Sequence, residues 1–103
     1  MHIQIGPLRY KVVEVEELAS ERSGALYGDI CYGKCRIRIA ADSSPQIKLV
    51  TLIHEILHGI LANAALVEDH NEAHIDALAH GLIQVLRDNP KLRDRITGDT
   101  PHE

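Results

Sequence analysis

At 103 residues the chain is long enough for a single modest core and too short for the two-lobed cleft of a large protease. A formal charge of −4 and a pI near 5.9 exclude a general electrostatic pull toward phosphate backbones, and the one basic cluster, Lys34, Arg36 and Arg38, is short, so nucleic acid is not expected as a partner. No apolar run reaches the roughly 18 residues needed to span a bilayer and no basic segment leads into an apolar signal core, so the expected address is cytoplasmic, without a membrane.

In the first 15 residues Ile3 and Ile5 alternate with polar neighbours, and after Gly6-Pro7 the series Leu8, Tyr10, Val12 alternates again, which predicts a strand over about 8–15. Residues 16–23 are charged and lack a period, which fits either a short helix or a loop ended by Gly24. Residues 26–40 read as a hairpin punctuated by Gly28-Asp29 and Gly33-Lys34, its last strand carrying Ile37 and Ile39 on one face and Arg36 and Arg38 on the other. The two cysteines, Cys31 and Cys35, bracket its turn; structural thiols, a redox pair and metal ligands all fit that spacing.

Ser43-Ser44-Pro45 signals a helix start, with Ser44 as the cap and Pro45 at the first helical position. The helix is expected over about 45–64, with Val50, Ile53, Ile56, Leu57, Ile60, Leu61 and Ala64 as its buried stripe. Within it stands His54-Glu55-Ile56-Leu57-His58. Residues four apart share a helical face, so His54 and His58 can offer two imidazole nitrogens to one Zn²⁺, and Glu55 can reach a water in the metal's open position. Gly59 costs about 1 kcal/mol relative to Ala in a helix interior. It marks either a close approach to the backbone or a small residue at a helix crossing.

A second helix is expected from about 69–71 to Asp88, striped by Ile75, Leu78, Ala79, Leu82, Ile83 and Leu86 and stopped by Asn89-Pro90. The short connection at about 65–68 implies an antiparallel helix pair, residues 91–96 suit one more turn, and 97–103 has the composition of a loose tail. A catalytic zinc site needs a third ligand. Glu72, Asp76 and His80 share the face that looks at the histidines, whereas His74 is rotated away. Glu72 is the expected ligand, with Asp76 orienting a ligating imidazole through its other ring nitrogen. Two alternatives stay open: Glu72 as part of a capping box with Asp69, and Asp76 as the direct ligand supported by His80.

The pattern His54-Glu55-x-x-His58 followed by Glu72-x-x-x-Asp76-Ala77-Leu78-Ala79 resembles the gluzincin metallopeptidases. More narrowly, it is similar to the small ImmA/IrrE-type proteins, many of them carried by bacteria, phages and other mobile elements, over about residues 26–90. The chain departs from that pattern at Ile75, Leu78 and Leu57, and its length leaves no room for the extra sensing domain of longer members. The resemblance implies hydrolysis of a peptide bond in a specific protein such as a regulatory repressor, or a minimal domain that keeps metal with little turnover, as in latent minigluzincins.

The expectation is therefore one α+β domain over 1–96, a zincin-like metallopeptidase with an N-terminal antiparallel sheet of about three strands on a helix pair. Zn²⁺ would sit on His54, His58 and Glu72 with Glu55 as general base, and the strand ending at Ile39 would offer an edge to an extended peptide. Tyr27, Tyr32 and His80 are the candidate oxyanion donors. The rival readings are a non-catalytic zinc module, its fourth metal position filled by His102, Glu103 or a partner, and a metal-free helical interaction protein. His2, His70, His74 and His102 read as surface residues.

Overall fold

Gly6 and Pro7 close the first hairpin as a two-residue loop, with Gly6 at φ +55, the positive value such a loop requires. The hairpin joins β1 (His2–Ile5) to β2 (Leu8–Val15) in a computed structural model that describes residues 1–20, 24–25, 27–64 and 71–98. Two short strands follow, β3 (Ala19–Ser20) and β4 (Gly24–Ala25), which among the described residues pair only with each other. A second hairpin, β5 (Gly28–Cys31) and β6 (Arg36–Ala40), leads into the helices α1 (Pro45–Asn63), α2 (Glu72–Asp88) and α3 (Pro90–Thr97).

The main sheet has four strands in the order β1-β2-β6-β5, and β2 pairs with β6 in parallel. The expected antiparallel sheet of about three strands is thus corrected to a mixed sheet. Alternation assigns each strand a face, but it specifies neither neighbour nor direction. Burial goes with the centre: Tyr10 of β2 and Ile37 of β6 are fully buried and Ile39 and Ala40 of β6 nearly so, and strands flanked on both sides protect them best. Of the helix and loop readings for 16–23, the described residues 16–20 exclude the helix: Glu17 takes φ +53, and β3 begins two residues on. Residues 21–23 lie outside the described residues.

The core is Ile5, Tyr10, Ile37 and Ile39, closed by Leu52 and Ile56 of α1, which covers one face of the sheet. Gly59 lets that contact form. A Cβ there would stand 2.8 Å from Ile5 Cδ1 and 3.3 Å from Ile30 Cδ1, so strand side chains, not a crossing helix, occupy the space beside it. Asn63 Nδ2 donates to the Ile5 carbonyl at 2.7 Å, and Lys48 meets Glu14 at 2.7 Å, fixing both ends of α1 on the sheet.

The apolar stripes need correction. The fully buried residues of α1 are Thr51, Glu55, His58 and Gly59, while Ile60 and Ala64 are exposed. α1 has two neighbours, the sheet on one side and α2 on another, so burial centres on the line between them rather than on the most apolar face. On α2 only Ile75 and Ala79 are fully buried, and Leu78 and Leu82 are exposed. No helix is long and apolar enough to cross a membrane among the described residues. The 65–68 connection lies outside the described residues; the expected tail begins inside α3, which Gly98 ends at φ +82, and 99–103 lies outside them.

Candidate metal centre

Ser44 caps α1, its hydroxyl accepting from the Ile47 N–H at 3.2 Å with Pro45 following, so the helix phase that carries the histidines is set at its start. One turn apart, His54 and His58 bring their Nε2 atoms to 3.1 Å. Asn71, not Asp69 or Glu72, caps α2, accepting from the His74 N–H at 3.0 Å; Asp69 is outside the described residues. Glu72 is thereby released from the capping role and spans the two rings, Oε2 lying 2.9 Å from His54 Nε2 and Oε1 2.8 Å from His58 Nε2. Because His58 meets Glu72 while His54 reaches Asp76 one turn later, the two helices run antiparallel, as expected.

This donor set fits a metal ion. Two imidazole nitrogens and a carboxylate converge, with ligand atoms all within 4.8 Å of one another. Neutral rings with both Nε2 lone pairs turned inward would repel, and a shared cation relieves that conflict. Tetrahedral bonds of the usual zinc length would separate such ligand atoms by about 3.3 Å, close to the distances found.

Asp76 Oδ1 lies 3.4 Å from His54 Nδ1, so it approaches the other ring nitrogen and not the converging set. His80 donates from Nδ1 to the Asp76 backbone carbonyl at 2.8 Å, and its ring is turned onto its own helix. Glu55 is 7% exposed. Burial, before any charge, pushes its carboxyl up to about 7; the His54 ring pulls it down, while Glu72 and Asp29 push it further up.

A cleft of about 420 Å³ opens beside these groups, lined by Ile47, Val50, Thr51, His54 and Glu55 of α1, by Glu72, Asp76 and His80 of α2, and by Tyr27 and Gly28 at the start of β5. No protein-family model, curated protein or solved structure matches this chain.

Gly28, read in the sequence only as turn punctuation, and Thr51 and Ile47 also line the site. Thr51 stands one turn before Glu55 and shares its face, which was a usable signal. Gly28 gave none: a Cβ there would stand 2.5 Å from Thr51 Cγ2 and 2.8 Å from the Arg38 carbonyl, a closeness only the folded sheet reveals. Tyr27 is 61% exposed at the rim of the cleft. Tyr32 is half-buried outside the cleft lining, its phenol pushed up by burial first and then by Glu55, Tyr10 and Glu72. The expected edge also moves. β6 is internal, so the strand ending at Ile39 has no free edge; β1 and β5 are the edge strands, and the first residue of β5, Gly28, lines the cleft. Cys31 and Cys35 are both half-buried thiols, and Cys35 Sγ donates to the Tyr32 carbonyl at 3.7 Å. His2 and His74 are exposed; His70, His102 and Glu103 lie outside the described residues.

Proposed function

We propose that the chain is a zinc-dependent metallopeptidase with a zincin-like arrangement, cleaving a peptide bond in a specific protein. The observation that carries this reading is the convergence of His54, His58 and Glu72 with Glu55 buried beside them on the same cleft. Two nitrogens and one oxygen from three side chains are a donor set typical of catalytic zinc, which leaves a coordination position open. Bound there, Zn²⁺ supplies Lewis acidity, polarising the scissile carbonyl and lowering the pKa of a water.

The protein's own groups do the rest. Glu55, its carboxyl poised near neutrality, accepts the proton of the attacking water and passes it to the departing amine. Asp76 holds the His54 ring through Nδ1. The β5 edge offers backbone groups to an extended peptide, and Tyr27 flanks the cleft as a donor to the developing oxyanion, whereas His80, whose Nδ1–H goes to the Asp76 carbonyl, would donate there only from Nε2 of a protonated ring. A repressor-type regulator in the cytoplasm is the substrate class the resemblance implies, with a phage or other mobile element as the source.

One observation favours a second reading, a metal-holding module with little turnover: His80 is engaged with its own helix and Tyr27 is largely exposed, so neither donor is fixed over the site. The deciding experiment pairs metal analysis of protein purified without chelator with cleavage of a denatured protein mixture by the parent and Glu55→Gln. The peptidase reading expects about one zinc per chain in both and cleavage by the parent alone. Metal without cleavage in either would leave the module reading, and protein without metal would sink both.

A further inference from the structure

Strand pairing gathers basic residues that lie far apart in the sequence. Lys11 of β2 stands directly opposite His2 of β1 on one side and Arg36 of β6 on the other, and Arg9 follows two residues along β2 on the same face. The core face of these strands carries Ile5, Tyr10, Val12, Ile37 and Ile39, so alternation turns His2, Arg9, Lys11 and Arg36 to the opposite face. No described helix or strand packs there: α1 meets the sheet from the core side, and β3 and β4 meet only each other. Arg38 shares the outer face but is neutralised by Asp29 across from it on β5, its Nε donating to Oδ1 at 2.9 Å. Arg9, Lys11 and Arg36 meet no carboxylate among the described residues, and the buried Nε of Arg36 lacks even an acceptor. His2 is pushed below its ordinary range, first by desolvation and then by Arg9, the amino terminus and Lys11.

Like charges directly opposite one another on neighbouring strands are destabilising. The Lys11–Arg36 pair keeps that repulsion in a chain whose net charge is −4, so carboxylates that could offset it stand elsewhere in the molecule. An anionic partner laid on this face relieves it. Neighbouring strands lie about 4.8 Å apart, so His2, Lys11 and Arg36 span about 10 Å, the length of three or four residues of extended chain. Three unpaired cations are few for a nucleic-acid backbone, whose binders commonly contact about 6–10 phosphates. The face also lacks a ring on which a base could stack: Tyr10 is in the core, Tyr32 packs against it, and Tyr27 lines the cleft. We propose that this face docks a short acidic segment of a partner protein, its Asp or Glu carboxylates set on Arg9, Lys11 and Arg36. The docking lies across the sheet from α1 and the converging histidines and does not depend on the peptidase reading.

Fluorescence anisotropy of a labelled octaglutamate peptide tests it at about 20 mM and about 150 mM salt. Saturable binding is expected, weaker at the higher salt, and reduced at least about tenfold by Arg9→Glu and by Lys11→Glu, both at exposed positions. Arg95→Glu on α3 changes the net charge equally and should leave binding within about twofold, with circular dichroism unchanged in all three variants. Lys11→Glu should also raise the urea midpoint, because a carboxylate at that position pairs with Arg36 instead of repelling it. Absence of saturable binding, an equal loss in Arg95→Glu, tighter binding to a labelled single-stranded oligonucleotide of the same charge, or a midpoint that Lys11→Glu lowers would each overturn the proposal.

Discussion

On α1 the side chains withdrawn from water are Thr51, Glu55 and His58, whereas on α2 those left in it include Leu78, Leu82 and Val85. α1 inverts the usual relation between polarity and burial, whereas α2 buries the apolar Ile75 and Ala79 and leaves further apolar residues in water. A buried carboxyl and a buried imidazole cost free energy unless something compensates them, so the inner face of α1 signals chemistry. Exposed leucines cost little by themselves, and here they cluster on one flank of α2. The departure from ordinary patterning on α1 thus marks the candidate site.

The strongest way to break the contrast is to remove a converging ligand. His58→Ala or Glu72→Ala should lower zinc affinity, measured by competition with a chromophoric chelator, by well over the roughly 10- to 100-fold expected for an outer partner. Unchanged affinity in Glu72→Ala would detach α2 from the centre. Next is a pair of truncations on α2. Ile75→Ala, at a buried position, should cost about 2–5 kcal/mol in urea unfolding, whereas Leu78→Ala in dilute solution should cost within about 0.5 kcal/mol. Equal losses would mean that the exposed flank is already covered within one chain.

The buried carboxyl gives a pH test of the metal-free protein. Glu55 is raised from its ordinary 4.5 to about 7, so its protonated form favours the fold. That contribution is complete below about 4.5 and is lost as pH rises through about 7, on the order of 3 kcal/mol in all. Glu55→Gln should flatten the profile and leave the chelated protein more stable than the parent at pH about 8. A parent profile as flat as the variant's would show that Glu55 is not buried in solution.

Smaller effects sharpen the picture. Asp76→Asn should weaken zinc binding by about 10- to 100-fold through the His54 ring, without changing stoichiometry. Ser44→Ala should destabilise the protein by about 1 kcal/mol by removing the cap of α1, with zinc affinity retained. A large loss of affinity in that variant would show that the helix start, not only its middle, sets the ligand geometry.

The site was more legible than the fold. Spacing of four on a helix places His54 over His58 whatever the helix packs against, and Glu72 and Asp76 followed from the same periodicity on the next helix. Ser44-Pro45 and Asn89-Pro90 marked helix ends correctly because capping and proline geometry are local. The order of strands was not local. Nothing in Leu8–Val15 or Arg36–Ala40 states that they lie side by side and parallel, since pairing depends on what α1 must cover. The apolar stripe of α1 misled for the same reason: hydropathy names the favoured face of an isolated helix, and two neighbours on different sides moved the burial to Glu55 and His58.

The parallel contact between β2 and β6 also constrains how the chain folds. The β1–β2 and β5–β6 hairpins close between sequence neighbours, but partners such as Lys11 and Arg36 are distant and meet only after a long loop has closed. α1 docks on residues from β1, β5 and β6 together, so the scaffold beneath the histidines is complete only once both hairpins have joined. An ion recruited by His54, His58 and Glu72 would then act as a latch on the last step of folding, slowing unfolding far more than it hastens folding.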